Sequence, residues 1–367
     1  MTRMTVYCRG CGVRLQSEDP KKPGYVPAEK LTQEGIICQR CFKMTHYNQL
    51  SKVKVDEDYF VQVIKGIGQR KALIVKIVDL FDFDGSWLDE LFRLIPHNPV
   101  LVVMNKIDLF PPVRWGKIEE WVKRRIREKN VHPVGLVFVS GQTGQGIPTL
   151  LEQIEKHRLG KDVYLVGCAN AGKSTVINQI LKFLAGDPER MITTSRFPGT
   201  TLDVIDIPVS AELVLHDTPG LINPKQITRY VSPEDLKQIL PERKLRPKIY
   251  QLNPAQTLFF GGLARLDYLA GERLSFVCYM AERLPIHRTK LVNADAIYKK
   301  HLGGMLKPPG PQTLTKWEPL VKRSFRLNGE GDIALAGLGW VAVKGPGALV
   351  CVHAPPGVSV SMRPVLI

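Results

Sequence analysis

The sequence predicts an α/β core built on a mostly parallel sheet, preceded by a cysteine-stapled segment and followed by a basic, β-rich domain. Three observations predict it. Short apolar runs alternate with helical stretches between Asp56 and Leu221. Two C-x-x-C pairs stand near the N-terminus, at Cys8/Cys11 and Cys38/Cys41. Beyond Leu221, Pro becomes frequent and apolar runs recur between Gly and Pro.

The core elements follow from the pattern. Ala72–Val78, Val100–Met104, Leu136–Val139 and Val163–Val166 are short apolar runs of the kind that form buried parallel strands. Helices are expected between them, at Trp87–Leu94 and Lys117–Lys129, and again over Thr175–Leu184. Leu202–Ile207 and Glu212–His216 alternate and suit a hairpin. Later runs at Thr257–Phe260, Leu274–Met280, Trp340–Val343 and Leu349–Val352 read as strands, with a helix near Ala294–Leu302. A chain of 367 residues exceeds one ordinary domain. The boundaries expected are 1–55 for a zinc-binding domain, 56–222 for the α/β core and 223–367 for the basic domain.

Composition excludes several classes. Apolar residues make 44% and charged residues 23% of the chain, as in a folded, soluble protein. No window approaches the ~18 continuous apolar residues of a membrane span. The first residues run into Cys8, Arg9 and Cys11 rather than an apolar stretch, so no secretory signal is read and a cytoplasmic location is expected. The net charge of +16 is uneven. Residues 1–55 carry 10 Lys or Arg against 4 Asp or Glu, residues 56–220 carry 20 against 21, and residues 221–367 carry 21 against 10. Clustered cations at both ends suit a polyanion, since they release counterions from a phosphate backbone.

Gly167-Cys168-Ala169-Asn170-Ala171-Gly172-Lys173-Ser174 fits G-x-x-x-x-G-K-[ST] between an apolar strand and a helix. Glycines let backbone N–H groups turn inward onto phosphate oxygens, and the helix N-terminus adds partial positive charge. Asn170, Ala171, Gly172, Lys173, Ser174 and Thr175 are the expected nucleotide contacts. Lys173 reaches the β- and γ-phosphates, and the Ser174 hydroxyl binds Mg²⁺. Asn105-Lys106-Ile107-Asp108 follows another strand. A carboxylate at Asp108 accepts two hydrogen bonds from guanine and is left unpaired by adenine, which selects GTP and GDP. Ser140-Gly141 fits a loop supporting the guanine ring, although an ordinary turn reads nearly as well. Asp217-Thr218-Pro219-Gly220 supplies a carboxylate for the Mg²⁺ shell at Asp217 and, at Gly220, an N–H for the γ-phosphate. Thr200 and Thr201 both follow Pro198-Gly199, and Thr201 is the favoured switch residue contacting Mg²⁺. Lys173, Thr201, Asp217 and Gly220 form the expected catalytic set.

Together these residues resemble the translation-factor-like GTPases, but in a different order. Asn105–Asp108 and Ser140-Gly141 precede the phosphate loop, and Asp217–Gly220 comes last. The resemblance implies a circularly permuted P-loop GTPase domain, an arrangement of certain ribosome-assembly GTPases. With the Cys pairs and the basic tail included, the whole chain is similar to the YqeH family. That likeness implies GTP hydrolysis and a role in small-subunit biogenesis, with ribosomal RNA or the assembling subunit as partner. A membrane or a DNA sequence reader is not expected.

Two positions bear on turnover. Leu221 stands where small GTPases carry a water-orienting Gln, so hydrolysis unaided is expected to be slow. Asn170 occupies the position of a K⁺ ligand in cation-dependent GTPases, and a monovalent cation there would supply charge to the phosphates. A plain loop-capping Asn is the alternative.

Cys8, Cys11, Cys38 and Cys41 make a closed Cys₄ set suited to structural Zn²⁺. A redox pair is the rival, but such pairs are normally single and attached to a βαβ unit. His46 is close enough in sequence to serve as a ligand instead. In the basic domain, Arg243, Lys244, Arg246 and Lys248 lead into Tyr250, while Phe259, Phe260, Phe276 and Tyr279 lie on expected strands. Aromatics among cations suit base stacking; for Phe259 and Phe276 a core position is the better reading. Two other functions stand beside the GTPase switch. One is a P-loop kinase or ATPase, which Asn105–Asp108 argues against. The other is a zinc-stapled RNA-binding protein in which GTP is a slow-turnover regulatory ligand.

Overall fold

The computed structural model describes residues 14–19, 24–30, 36, 38–39, 57–185, 205–209, 213–218, 220–221 and 223–367. The switch Thr201, its neighbour Thr200, and Cys8, Cys11 and Cys41 lie outside them. Two compact units form. One comprises Met1–Leu80, Leu88–Ile107 and Asn130–Ile222; the other comprises Phe81–Trp87, Asp108–Lys129 and Asn223–Ile367.

The first unit carries a six-stranded sheet. Its strands are β1 (Ala72–Asp79), β2 (Val100–Asn105), β3 (Gly135–Phe138), β4 (Asp162–Gly167), β5 (Ile205–Pro208) and β6 (Val214–Asp217). Their spatial order is β3-β2-β1-β4-β6-β5, parallel throughout except for β5, which pairs antiparallel with β6. Every residue of β1 and β2 is buried, including Lys76 and Asp79 in β1 and Asn105 at the end of β2, as expected of central strands covered on both faces.

Helices α1 (Glu57–Gly68), α5 (Ile147–Arg158) and α6 (Lys173–Ala185) belong to this unit, and Asp89–Leu94 is α3. Helix α5 begins after Gly146 at φ +77°, where a Cβ would sit 2.1 Å from the Phe138 carbonyl oxygen. It carries Pro in its first turn and Lys156 and Arg158 in its last, where cations offset the helix dipole. Helix α6 buries Val176, Ile177, Ile180, Leu181 and Leu184, one stripe at helical spacing.

The second unit holds a β-sandwich of two antiparallel sheets. Its strands are β7 (Lys248–Leu252), β8 (Gln256–Phe260), β9 (Ala264–Gly271), β10 (Leu274–Met280), β11 (Ile286–Lys290), β12 (Val321–Leu327), β13 (Gly331–Leu335), β14 (Gly339–Lys344), β15 (Ala348–Ala354) and β16 (Val360–Arg363). They order as β16-β13-β14-β10-β7 and β11-β8-β9-β15-β12. Leu258, Phe260, Leu266 and Val350 from one sheet meet Phe276, Val341, Val343 and Ile333 from the other in a single core. Helix α8 (Leu291–His301) packs on the β8/β11 side of the second sheet, with Tyr298 stacked on Phe259 at 6.1 Å. Helices α7 (Pro233–Ile239) and α9 (Pro311–Leu314) complete the elements of this half.

The outer face of the first sheet of the sandwich is closed by two segments drawn from the middle of the sequence. These are Phe81–Trp87, which contains α2 (Phe83–Ser86), and helix α4 (Trp115–Glu128). Phe81 and Tyr279 lie 5.7 and 4.8 Å from Trp340, and Phe83 meets Trp121 edge-on at 5.4 Å. Arg363 lies over both Trp121 and Trp340 and bonds Asp84 at 2.8 Å, while Arg125 bonds the other Asp84 oxygen at the same distance. The start of the segment Asn223–Ile367 is pinned here too, since Asn223 donates to the Gly85 carbonyl and Gln226 to Asp82.

The expected helix at Trp87–Leu94 is divided. Trp87 ends α2 rather than starting α3, because its ring is needed against Phe83 at 5.2 Å. Phe259 and Phe276 are fully buried, as the core reading expects. The stacking surface is corrected at Phe260 and Tyr279, which are buried as well. Neighbours on a strand point to opposite faces, and here both faces are covered, Phe260 and Phe276 lying in the sandwich core and Phe259 under α8.

Candidate nucleotide-binding site

The glycine loop joins β4 to α6. Asn170 and Gly172 both take positive φ, +65° and +84°, so the backbone curls tightly before Lys173 opens the helix. Gly172 is required twice over. Its conformation is left-handed, and a Cβ would come within 2.3 Å of Asn105 Nδ2.

Asn105, the last residue of β2, ties two loops together. Its Nδ2 donates to the Ala171 carbonyl at 2.9 Å, and its Oδ1 accepts the Gly141 N–H at 2.9 Å. The side chain is 1% exposed, so both bonds are shielded from water. Gly141 in turn lies against the first turn of α6, where a Cβ would stand 3.0 Å from the Val176 nitrogen. Ser140 is buried and its hydroxyl accepts the Thr143 N–H at 3.0 Å, which shapes the Ser-Gly turn. Lys106, at φ +70°, bonds Asp79 at the end of β1 at 2.6 Å. Asp108 lies on the 3₁₀ turn Ile107–Leu109 that follows β2.

Asp217 ends β6 and pairs with Lys173, whose ammonium also donates to the Thr218 carbonyl. Both charged groups are nearly buried, and each offsets the other's desolvation. Thr218 donates its hydroxyl to Leu165 on β4 at 2.8 Å. Next along the chain, Leu221 bridges Cys168: Ala169 N–H donates to the Leu221 carbonyl at 2.7 Å, and Leu221 N–H donates to Gly167 at 3.3 Å. Leu221 is thus stitched to the glycine loop through main-chain bonds.

The sequence reading reaches most of this arrangement. Asn105, Lys106, Ser140, Gly141, Asn170, Ala171, Gly172, Lys173, Ser174, Thr175, Asp217 and Gly220 all lie in described parts of the first unit. Asp79 escaped it, and so did the tying role of Asn105. An acidic residue closing an apolar strand was the available signal for Asp79. Gly172 leaves a cradle that any side chain would fill, a fixed cation stands at Lys173, and Ser174 and Asp217 offer hard oxygen donors. This set fits a nucleoside phosphate with Mg²⁺.

Comparison with known proteins decides the family. A model described as YqeH-like, C-terminal, matches residues 273–366, and one described as 50S ribosome-binding GTPase matches residues 162–244. YqeH of Bacillus subtilis (strain 168) is 48% identical over 364 residues, 99% of either chain. The chain belongs to the YqeH family. Within that relationship, NO-associated protein 1, chloroplastic/mitochondrial, of Arabidopsis thaliana is 31% identical over 98% of this chain and 76% of its own length. GTPase Der of Nitrosococcus oceani is 28% identical over 52% of this chain and 44% of its own. This YqeH-family protein is a GTPase that binds GTP and GDP with Mg²⁺ and hydrolyses GTP.

Of the cysteine set, Cys38 is described and is buried. Next to it Gln39 N–H donates to the Tyr25 carbonyl at 2.7 Å, and Gln16 bridges Tyr25. No cluster able to hold a metal ion occurs among the described residues. Among them, too, no helix is long and apolar enough to cross a membrane.

Proposed function

We propose that this GTPase is a nucleotide-dependent switch acting in the cytoplasm on assembly of the small ribosomal subunit, with ribosomal RNA or the assembling subunit as partner. The observation that carries the switch is the main-chain bridge between Leu221 and Cys168. It keeps Gly220 against Ala169 of the glycine loop, so a γ-phosphate bound there and the Gly220 N–H would share one neighbourhood. Lys173 holds the β- and γ-phosphates, Ser174, Thr201 and Asp217 serve Mg²⁺, and Asp108 reads guanine with Asn105 and Lys106 setting its strand end. Ser140 and Gly141 support the base, and Ala171, Gly172 and Thr175 line the phosphates. Bound Mg²⁺ neutralises phosphate charge during hydrolysis.

The domain is further proposed to be a circular permutant. Read from the antiparallel edge, the sheet runs β5-β6-β4-β1-β2-β3. The glycine-loop strand β4 lies centrally although it comes fourth in sequence, and the GTPase model aligns only from residue 162. Leu221 has no group to orient water, so turnover is slow until a cation or a ribosomal partner completes the site. Asn170, exposed at φ +65° in the loop, is proposed to ligate K⁺. Cys8, Cys11, Cys38 and Cys41 are proposed to hold one structural Zn²⁺, which suits a buried Cys38.

The experiment is nucleotide binding and turnover with full-length protein. GTP and GDP bind while ATP does not compete, and turnover rises with K⁺ or with ribosomal subunits. ATP binding as tight as GTP would overturn the guanine assignment. Turnover that no cation or subunit raises would favour the second reading, an RNA-binding protein regulated by slowly hydrolysed GTP.

A further inference from the structure

The β-sandwich has two open sides, each made of a pair of edge strands, and they differ in charge. On one side β7 ends the first sheet and β11 ends the second. Side chains alone join them there: the Tyr250 hydroxyl donates to Ile286 O at 3.4 Å, and Arg288 donates to Gln251 O at 3.4 Å. Among the described residues no strand pairs with the far edge of either. The segment entering β7 lies against the loop entering β11, leaving a hollow between Leu240–Arg243 and Ala281–Arg283.

This side collects cations. Residues 242–251 and 281–290 hold seven Lys or Arg (Arg243, Lys244, Arg246, Lys248, Arg283, Arg288 and Lys290) against Glu242 and Glu282. All but Lys248 are exposed. The two acids are already engaged, since Arg283 pairs Glu242 at 3.1 Å and Arg246 lies 3.4 Å from Glu282. Lys248 is held by the Glu282 and Leu284 carbonyls, which fixes one cation at the centre of the band. The β12/β16 side is weaker, with five cations against two acids over residues 316–330 and 358–367, and one of the five, Arg363, is buried. Arg323 there is tied to Pro356 O at 2.8 Å.

We propose that the β7/β11 side is the surface that tracks a single-stranded RNA backbone, with phosphates along Arg243, Arg246, Lys248 and Arg288. The inference rests on the RNA-partner reading above and adds the site. Charge complementarity selects the occupant. Unpaired strand edges alone would also accept a peptide strand, but Ile249, at 64% exposure, is the only large apolar side chain of β7 left uncovered there. One such residue gives a peptide no apolar row to pack against, whereas the cations suit every phosphate of a chain. Recognition is then electrostatic and independent of base sequence.

The test uses full-length protein and a labelled 20-nucleotide oligo(U), titrated across a range of salt by fluorescence anisotropy. Arg246→Glu with Arg288→Glu is compared with Lys299→Glu with Lys300→Glu, which reverses two exposed charges on α8. GTP turnover and thermal unfolding check that both variants fold. The edge variant is expected to bind about tenfold or more weakly at 0.1 M salt. Its slope of log K against log salt should be shallower by about 0.7 for each phosphate no longer neutralised. The α8 variant should stay within about twofold. Equal losses in both variants would overturn the site while leaving an RNA partner in place, as would wild-type affinity in the edge variant. Failure of the wild-type protein to bind the oligonucleotide would overturn both readings. Tighter capture of an oligo(Glu) peptide than of oligo(U) would replace the RNA with an acidic protein segment.

Discussion

Asp84 and Arg363 stand 279 positions apart in sequence and meet at 2.8 Å, where the Arg363 guanidinium also lies between the rings of Trp121 and Trp340. Arg125 on α4 bonds the second Asp84 oxygen. Burial alone would raise the Asp84 pKa, but the two guanidinium groups outweigh it and hold the carboxyl below its ordinary range. The end of the chain is thereby locked to α4 and to the loop after β1.

Asp84→Ala should therefore be costly. It strands Arg363, which is 1% exposed, and Arg125 without their shared carboxylate. The expected loss is about 3 to 5 kcal/mol, and thermal unfolding of the full chain measures it. A change within about 0.5 kcal/mol would show that the lock contributes nothing.

Acid has two opposed effects on this half of the molecule. Burial would raise the Asp267 pKa, but hydrogen bonds from His353, Arg265 and Thr257 outweigh it and lower the value to about 2. Its contribution is complete above the ordinary carboxylate range and disappears as pH falls toward 2. Asp332 runs the other way. Burial raises it to about 6 in spite of Arg363 and the Leu366 N–H. The fold is favoured with this carboxyl protonated, so stability falls as pH rises from about 4 to about 6, by about 3 kcal/mol. Urea unfolding from pH 4.5 to 7.5 should reveal that slope, and Asp332→Asn should remove it. An unchanged slope in the variant would refute the assignment.

Asn105→Ala tests the tie between the loops. It leaves the Ala171 carbonyl and the Gly141 N–H without their partner, each worth about 1 to 3 kcal/mol when buried. GTP and GDP affinity should fall together, because both loops are displaced for either nucleotide. Calorimetry measures the two constants. A loss confined to GTP would mean that Asn105 acts on the γ-phosphate instead.

Lys173→Ala removes the one fixed cation of the glycine loop and frees Asp217 of its partner. Nucleotide affinity or turnover should drop by about a hundredfold or more. Near-normal hydrolysis would show that the active site lies elsewhere.

Much of this was legible in the sequence because local rules dominate where strands are buried on both faces. The runs at Val100 and Val163 could be placed as strands, and the motifs at their ends followed. The hairpin of β5 and β6 was readable from alternation, and β8, β10, β14 and β15 from apolar runs set between Gly and Pro, whereas β9, β11, β12 and β13 were not picked out. Long-range pairing was not. Nothing local in Asp84, Arg125 or Arg363 signals their meeting, since a charge on a short helix ordinarily faces water. The same applies to Asn105, whose amide serves two loops that the sequence separates by 30 residues. In the basic domain the core reading of Phe259 and Phe276 agrees with the structure, but Phe260 and Tyr279 were open to a surface reading because alternation alone does not show that both faces of a strand are covered.

We propose that nucleotide state governs binding to a ribosomal partner. Co-sedimentation of the full-length protein with separated small and large ribosomal subunits, at fixed salt, tests it most directly with GDP and a non-hydrolysable GTP analogue compared. Binding to the small subunit is expected, with affinities that differ by about fivefold or more between nucleotides. The subunit must then shift GTP affinity relative to GDP by the same factor. Equal binding in both states, with GTP affinity unchanged by the subunit, would contradict it.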